Sequence, residues 1–341
     1  MKYTLCNSRG LKCTVTDFGC RIMDLWVPDR DGRLEDVVLG TYDEDKYRNY
    51  GKGERFLGAT IGRFGNRIAH GRFSLDGREY ALALNNGANS LHGGVLGFDM
   101  VTWKVESVSA DSIQFSYVSV DGEEGYPGTL TVRMSYTLTE NNELVIDYKA
   151  VTDAHTIINL THHSFFNLHG EGKGTVNDML LMINADRYTP VDGTLIPTGE
   201  LAPVEGTPFD FRNPAVIGSR LGAEDEQLER GAGYDHNWVL NKASEGELSK
   251  AAELYDPQSG RKMEVFTTEP GIQFYGGNYF DGTMTGKNGL PYVRNCSLAL
   301  EAQHFPDSPN HPDFPSTELY PGQEYRQTTV YRYSTVSSRL R

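Results

Sequence analysis

Cysteine is scarce in this chain: four residues in 341, at Cys6, Cys13, Cys20 and Cys296, with no pair at C-x-x-C spacing. Four thiols are too few for a disulfide framework at this length. Free buried thiols in a reducing compartment are therefore expected, which points to the cytoplasm. No run of about 18 apolar residues occurs, so a membrane-spanning helix is excluded. The N-terminus lacks the apolar core of a signal peptide, and none is expected. Basic runs are missing as well, and 32 Lys+Arg against 46 Asp+Glu leave a net charge of −14. Nucleic acid and anionic membrane surfaces are poor partners for such a chain. Neither H-E-x-x-H nor H-x-H appears, and neither dinucleotide nor phosphate-loop glycine spacing is found. A resident metal and a phosphate-bearing cofactor are thus not expected.

Linkers, repeats and low-complexity tracts are also absent, and helical periodicity is nearly so. What is present is strand text. Thirty-seven glycines and fifteen prolines separate short aromatic and β-branched runs. Leu130, Val132, Met134, Tyr136 and Leu138 alternate strictly, and Ile113/Phe115/Tyr117 and Leu144/Ile146/Tyr148 repeat the signal beside them. Asp121-Gly122, Tyr126-Pro-Gly128 and Glu140-Asn-Asn142 supply the turns of a meander. Short helices are expected only near residues 215–221 and 224–230. The expected architecture is one all-β domain over residues 1–341, of large, mostly antiparallel sheets packed face to face. The glycosylation sequons at Asn159 and Asn295 fall in strand text and are read as chance.

The stretch 295–311 carries the most information. If 297–303 is a strand, Leu298, Leu300 and Ala302 share one face, and Ala299, Glu301 and Gln303 the other. A carboxylate at mid-strand costs several kcal/mol unless it is paired or used. Two readings stand: a working acid, or a solvated acid on an edge strand. In 156–168, the same alternation puts Asn159, Thr161 and His163 opposite Ile158, Leu160 and His162. A satisfied core histidine is the ordinary explanation for either ring, and adjacent rings on opposite faces make a poor metal chelate. Asp235 follows a Gly-Ala-Gly turn, where a cap role is the plain alternative. Gln273 lies in Gly271–Tyr275, opposite Ile272 and Phe274. His92 stands on a turn before paired glycines, and Asn66 and Arg67 lie in a glycine-spaced loop. Together these groups suit a polyhydroxyl ligand: bidentate hydrogen bonders plus two proton-transfer groups.

Six segments in order resemble the aldose 1-epimerase (galactose mutarotase) family. They are Gly-Asn-Arg-Ile-Ala (65–69), Asn-Ser-Leu-His-Gly-Gly (89–94), Asn-Leu-Thr-His-His-Ser-Phe-Phe-Asn-Leu (159–168), Tyr-Asp-His-Asn (234–237), Pro-Gly-Ile-Gln-Phe-Tyr (270–275) and Leu-Glu-Ala-Gln-His-Phe-Pro-Asp-Ser-Pro-Asn (300–310). The resemblance implies a β-supersandwich and cofactor-free interconversion of the anomers of aldohexoses such as galactose and glucose. It makes Glu301 the general base, as carboxylate, and His163 the general acid, as imidazolium. His92 becomes an auxiliary acid or sugar ligand, and Asn66, Arg67, Asp235 and Gln273 hydroxyl binders. The implied partner is a small free sugar, and the implied assembly a monomer or weak dimer. One departure is visible: His162 stands where the family usually has Asn.

Three rivals compete. A glycoside hydrolase would use Asp235 and Glu301 as its carboxylate pair, but leaves His163 idle. A non-catalytic sugar-binding module explains Arg67, Asp235 and Gln273, yet gives no reason for an acid/base pair. A phosphosugar epimerase would want extra cations, against the acidic composition.

Overall fold

The computed structural model describes residues 1–49 and 54–337. Among them two sheets dominate. The larger has nine strands, in the order 104–108, 112–119, 130–138, 143–152, 325–335, 261–267, 249–255, 180–183 and 215–216. Its first part is the expected meander. Along Leu130–Leu138 the alternate residues Leu130, Val132, Met134, Tyr136 and Leu138 are all buried. Met134 faces Phe115 on one neighbour and Tyr148 on the other, the kind of cross-strand apolar contact that stabilises a sheet.

The second sheet has six strands, in the order 165–166, 298–303, 271–275, 235–239, 187–189 and 202–203. It packs on the first through Leu298, Leu300, Ile272, Phe274 and Trp238, in one core with Tyr136, Tyr148 and Tyr331. The Tyr331 hydroxyl donates to the Leu300 carbonyl at 3.1 Å, and its ring lies 5.0 Å from that of Phe166. Because side chains alternate, the faces bearing Leu298/Leu300 and Ile272/Phe274 are consumed by this core. The opposite faces, bearing Glu301 and Gln273, point away from it.

Two expectations need adjustment. The 156–163 segment is not one strand: Thr156–Ile157 pairs with Glu318–Leu319, Thr161–His163 with Ala59–Ile61, and Phe165–Phe166 with Leu298–Ala299. The chain changes partner twice while crossing between sheets, so it breaks at each transfer. Of the expected helices, residues 215–221 begin as the short strand Ala215–Val216 and continue as the 3₁₀ turn Ile217–Arg220. The other forms as Glu226–Arg230, capped by Asp225, whose carboxylate accepts from Gln227 and Leu228 N–H at 2.9 and 3.1 Å. A further helix, Glu44–Asn49, had no periodic signal and buries only Tyr47. No helix among the described residues is long and apolar enough to cross a membrane.

Leu300 is fully buried between the two sheets. Leu300→Ala should therefore destabilise the protein by about 2–5 kcal/mol. Urea denaturation would measure this, and a change below about 1 kcal/mol would mean that the sheets are not packed through this strand.

Candidate active site

Three adjacent strands of the six-stranded sheet build the floor of the site. Antiparallel register places Asn237 opposite Gln273, and Gln273 opposite Glu301, in one row. Asp235 lies one step along, opposite Tyr275. His163 approaches from the Thr161–His163 strand, and its Nε2 is 3.5 Å from Glu301 Oε1. Both side chains are nearly closed off, 6% and 2% exposed. The edge-strand alternative for Glu301 is thereby removed: the residue is buried in a central strand.

His162 turns the other way, as alternation requires. Its Nε2 meets the Tyr136 hydroxyl at 2.7 Å and its Nδ1 the Ser164 hydroxyl at 3.2 Å, inside the core.

Loops supply the opposite wall. Asn66 adopts a left-handed conformation (φ 62°), one that Asn tolerates better than most residues. Its main-chain N–H donates to His92 Nδ1 at 3.1 Å, and His92 N–H returns to the Asn66 carbonyl at 3.0 Å. Gly93 makes this fit possible: with φ 84°, a Cβ there would lie 2.0 Å from the Gly62 carbonyl oxygen. Arg67 reaches from the same loop, with Nη2 4.0 Å from Asp235 Oδ2 and Nε donating to Asn86 Oδ1 at 3.0 Å. Gln273 donates to Asp235 Oδ1 at 2.8 Å.

Of the seven residues singled out in the sequence, Asn66, Arg67, His92, His163, Asp235 and Glu301 line one cleft of about 650 Å³. Gln273 does not line it; it sits behind Asp235 and holds that carboxylate. The sequence reading missed the aromatic wall. Phe56 packs edge-on against His92 (4.6 Å between ring centres) and stacks with His163 (5.8 Å), while Phe165 lies 4.7 Å from His163. Tyr275, Tyr279 and Phe280 complete that side. Phe165 and Tyr275 stood inside the noted motifs and could have been found by alternation. Phe56 and Tyr279 carry no local signal.

Burial governs the electrostatics. Desolvation, reinforced by Asp235 and opposed by Arg67, pushes the Glu301 carboxyl well above its usual range. The same desolvation drops His163 to about 3 and takes His92 well below an ordinary histidine. Asp235 is raised by burial, with Arg67 and the Gln273 hydrogen bond pulling it back. Burial therefore opposes the charged form of both groups, which the sequence reading took as carboxylate and imidazolium.

His92, His163 and Glu301 bring donor atoms within 4.8 Å of one another, a three-ligand grouping that no motif spacing announced. Local chemistry argues against its holding a metal. With Nδ1 accepting from Asn66 N–H, neutral His92 carries its proton on Nε2. Both ring nitrogens are thus occupied, Nδ1 by the Asn66 N–H and Nε2 by its own proton, with no lone pair free for a metal. The arrangement is one of proton donors and acceptors around an open cleft.

Comparison with known proteins gives the family. A family model described as aldose 1-epimerase matches residues 1–332. The galactose mutarotase of Homo sapiens is 47% identical over 324 residues, covering 95% of this chain and 91% of that protein. The aldose 1-epimerase of Escherichia coli (strain K12) is 38% identical over 308 residues, 90% of this chain and 87% of that one. A solved aldose epimerase homologue from C. elegans superposes with a TM-score of 0.90 at 31% identity, covering 99% of both chains. The chain belongs to the aldose 1-epimerase family.

Proposed function

We propose that this protein interconverts the α- and β-anomers of free aldohexoses, with Glu301 as base and His163 as acid. The observation that carries the reading is the buried Glu301–His163 pair, 3.5 Å apart on the floor of a cleft rimmed by hydrogen-bonding side chains. Glu301 takes the proton of the anomeric hydroxyl while His163 delivers one to the ring oxygen. The C1–O5 bond breaks, leaving the open aldehyde. Rotation about C1–C2 presents the other carbonyl face, and the two groups exchange roles as the ring closes. Each has then recovered its starting proton, so the cycle consumes nothing. Each proton-transfer group contributes roughly 10²–10⁴ in rate.

His92, as an Nε2–H donor, hydrogen-bonds a sugar oxygen without itself transferring a proton. Arg67, Asp235 and Asn66 receive the remaining hydroxyls, and Gln273 holds Asp235. A galactose- or glucose-type hexose is the substrate class. The hydrolase reading finds less support, because Asp235 is tied to Arg67 and Gln273 while His163 faces Glu301.

The direct test is polarimetry over a panel of free aldoses, with a methyl glycoside of the best substrate alongside. Its anomeric oxygen bears no proton, so Glu301 has nothing to remove and the ring cannot open. Competitive inhibition is expected, with no anomer exchange and no methanol, and EDTA should leave the rate unchanged. Methanol release would favour hydrolysis.

Glu301→Gln keeps shape and hydrogen bonding but accepts no proton; kcat should fall by more than about 10² while methyl glycoside affinity stays within a few fold. His163→Asn should be comparably damaging, and His162→Asn mild. Equal damage from both histidine variants would mean that the ring buried against Tyr136 also serves the chemistry.

The pH profile follows from the shifts. The reacting pair holds one proton, whichever group carries it. The second proton is gained only near the lowered His163 value of about 3, and the last is lost through the raised Glu301 value. So kcat/KM should hold its neutral level at pH 4.5, the ordinary glutamate value, with the acidic limb lying lower. Half-loss at pH 4.5 would restore the ordinary ion pair.

A further inference from the structure

Asn159 belongs to the most strongly marked motif of the sequence, yet it takes no part in the chemistry above and lies fully buried outside the cleft lining. Every hydrogen-bonding group of its side chain is engaged. Oδ1 accepts the His304 N–H at 3.0 Å, and Nδ2 donates to the His304 carbonyl at 3.2 Å and to the Gly65 carbonyl at 3.3 Å. Its main chain reaches the same loop, since Asn159 N–H donates to the Arg63 carbonyl and the Asn159 carbonyl accepts Gly65 N–H at 2.6 Å. The amide thus brackets His304, meeting the N–H on one side of that residue and the carbonyl on the other, in the segment that follows the Glu301 strand. It also closes on the loop that precedes Asn66 and Arg67.

We infer that Asn159 is a positioning residue that fixes three segments relative to one another: the 63–67 loop, the strand leading to His163 and the end of the strand bearing Glu301. These three carry the acid, the base, Asn66 and Arg67, and through the Asn66 N–H they also set the proton position on His92. No other side chain of the motif hydrogen-bonds both the 63–67 loop and the end of the Glu301 strand. Thr161 donates to the Ala302 carbonyl at 2.8 Å and meets the loop only through its methyl group. The loop comes close because residue 65 is glycine: a Cβ there would sit 2.9 Å from Thr161 Cγ2 and 3.2 Å from the Asn159 carbonyl oxygen. An apolar residue at 159 would strand the His304 N–H and two carbonyls beside the site, which costs about 1–3 kcal/mol for each buried group left unpaired. Full burial of the amide also closes Asn159 to glycosylation in the folded chain.

The test compares wild type with Asn159→Ala, well below the unfolding midpoint of each. The kinetic half rests on the mutarotase reading; the spectroscopic half does not. A misplacement near 1 Å between acid, base and binding loop should lower kcat by about tenfold or more. Histidine-labelled ¹⁵N NMR should show His92 as the pure Nε2–H tautomer in wild type, and a mixture in the variant once the Asn66 N–H drifts. Should Asn159→Ala fail to fold, Asn159→Asp preserves shape and the acceptor for His304 N–H while turning an acceptor toward two carbonyls, and the same two readouts apply. A folded variant with kcat within about twofold of wild type, against the expected misplacement loss, overturns the strand half of the inference. An unchanged His92 spectrum overturns the loop half, even where stability has fallen. A wild-type protein without mutarotation would sink the functional reading alone, since the His92 signal still decides the loop.

Discussion

A carboxyl group held away from water at the centre of a sheet is the constraint around which this molecule is organised. Glu301 is 2% exposed, and one face of its strand is consumed by Leu298 and Leu300 against the nine-stranded sheet. In such a place an isolated carboxylate is costly, and real proteins relieve the cost by pairing or protonation. Both routes are present. His163 stands 3.5 Å away, and Arg67 opposes the desolvation from further off. The row formed by Asn237, Gln273 and Glu301 across three strands keeps this one face of the sheet polar where the other is core.

Burial of the pair bears on the proposed chemistry. A fully formed carboxylate–imidazolium pair in a dry site would hold its proton in a deep well and would be reluctant to exchange it with a sugar. Burial raises Glu301 and lowers His163, which weakens the hold of the carboxylate–imidazolium pattern and moves the shared proton toward Glu301. Anomer exchange is symmetric: ring opening and ring closing need the same groups in opposite roles. His92 stays outside this balance because Asn66 N–H fixes its tautomer, leaving it a neutral donor throughout.

Much of this was legible in the chain itself, for reasons of periodicity. Strict alternation in 130–138 and 298–303 gave both the strands and the faces of their residues, including the opposed directions of His162 and His163. Alternation survives even where the strand does not: 156–163 breaks as it changes sheets, yet the adjacent pair still points to two sides. What stayed hidden depends on contacts distant in sequence. Phe56 reaches two histidines 36 and 107 positions further along, and no local pattern encodes that. The convergence of His92, His163 and Glu301 was equally invisible, and so was the retreat of Gln273 behind Asp235. Protonation lay beyond reach too, because spacing shows which groups meet but says nothing of how dry their meeting place is.

The division of labour between strands and loops follows from the same physics. Proton transfer tolerates little displacement of donor and acceptor, and the proposed acid and base sit on strands locked by ladder hydrogen bonds and packed beneath by a common core. Hydroxyl recognition needs reach and variety, and Asn66, Arg67, His92 and the aromatic rim near Tyr279 are borne on loops and turns, or on strand ends beside them. Loops alone would leave those binders poorly aligned with the reacting pair. Their alignment comes from three close approaches that only small or conformationally tolerant residues allow: Gly93 under the Gly62 carbonyl, Gly65 against Thr161, and Asn66 in its left-handed conformation. The loop wall of the cleft is thereby anchored to the floor bearing Glu301 and His163 at the point where the loop enters the site.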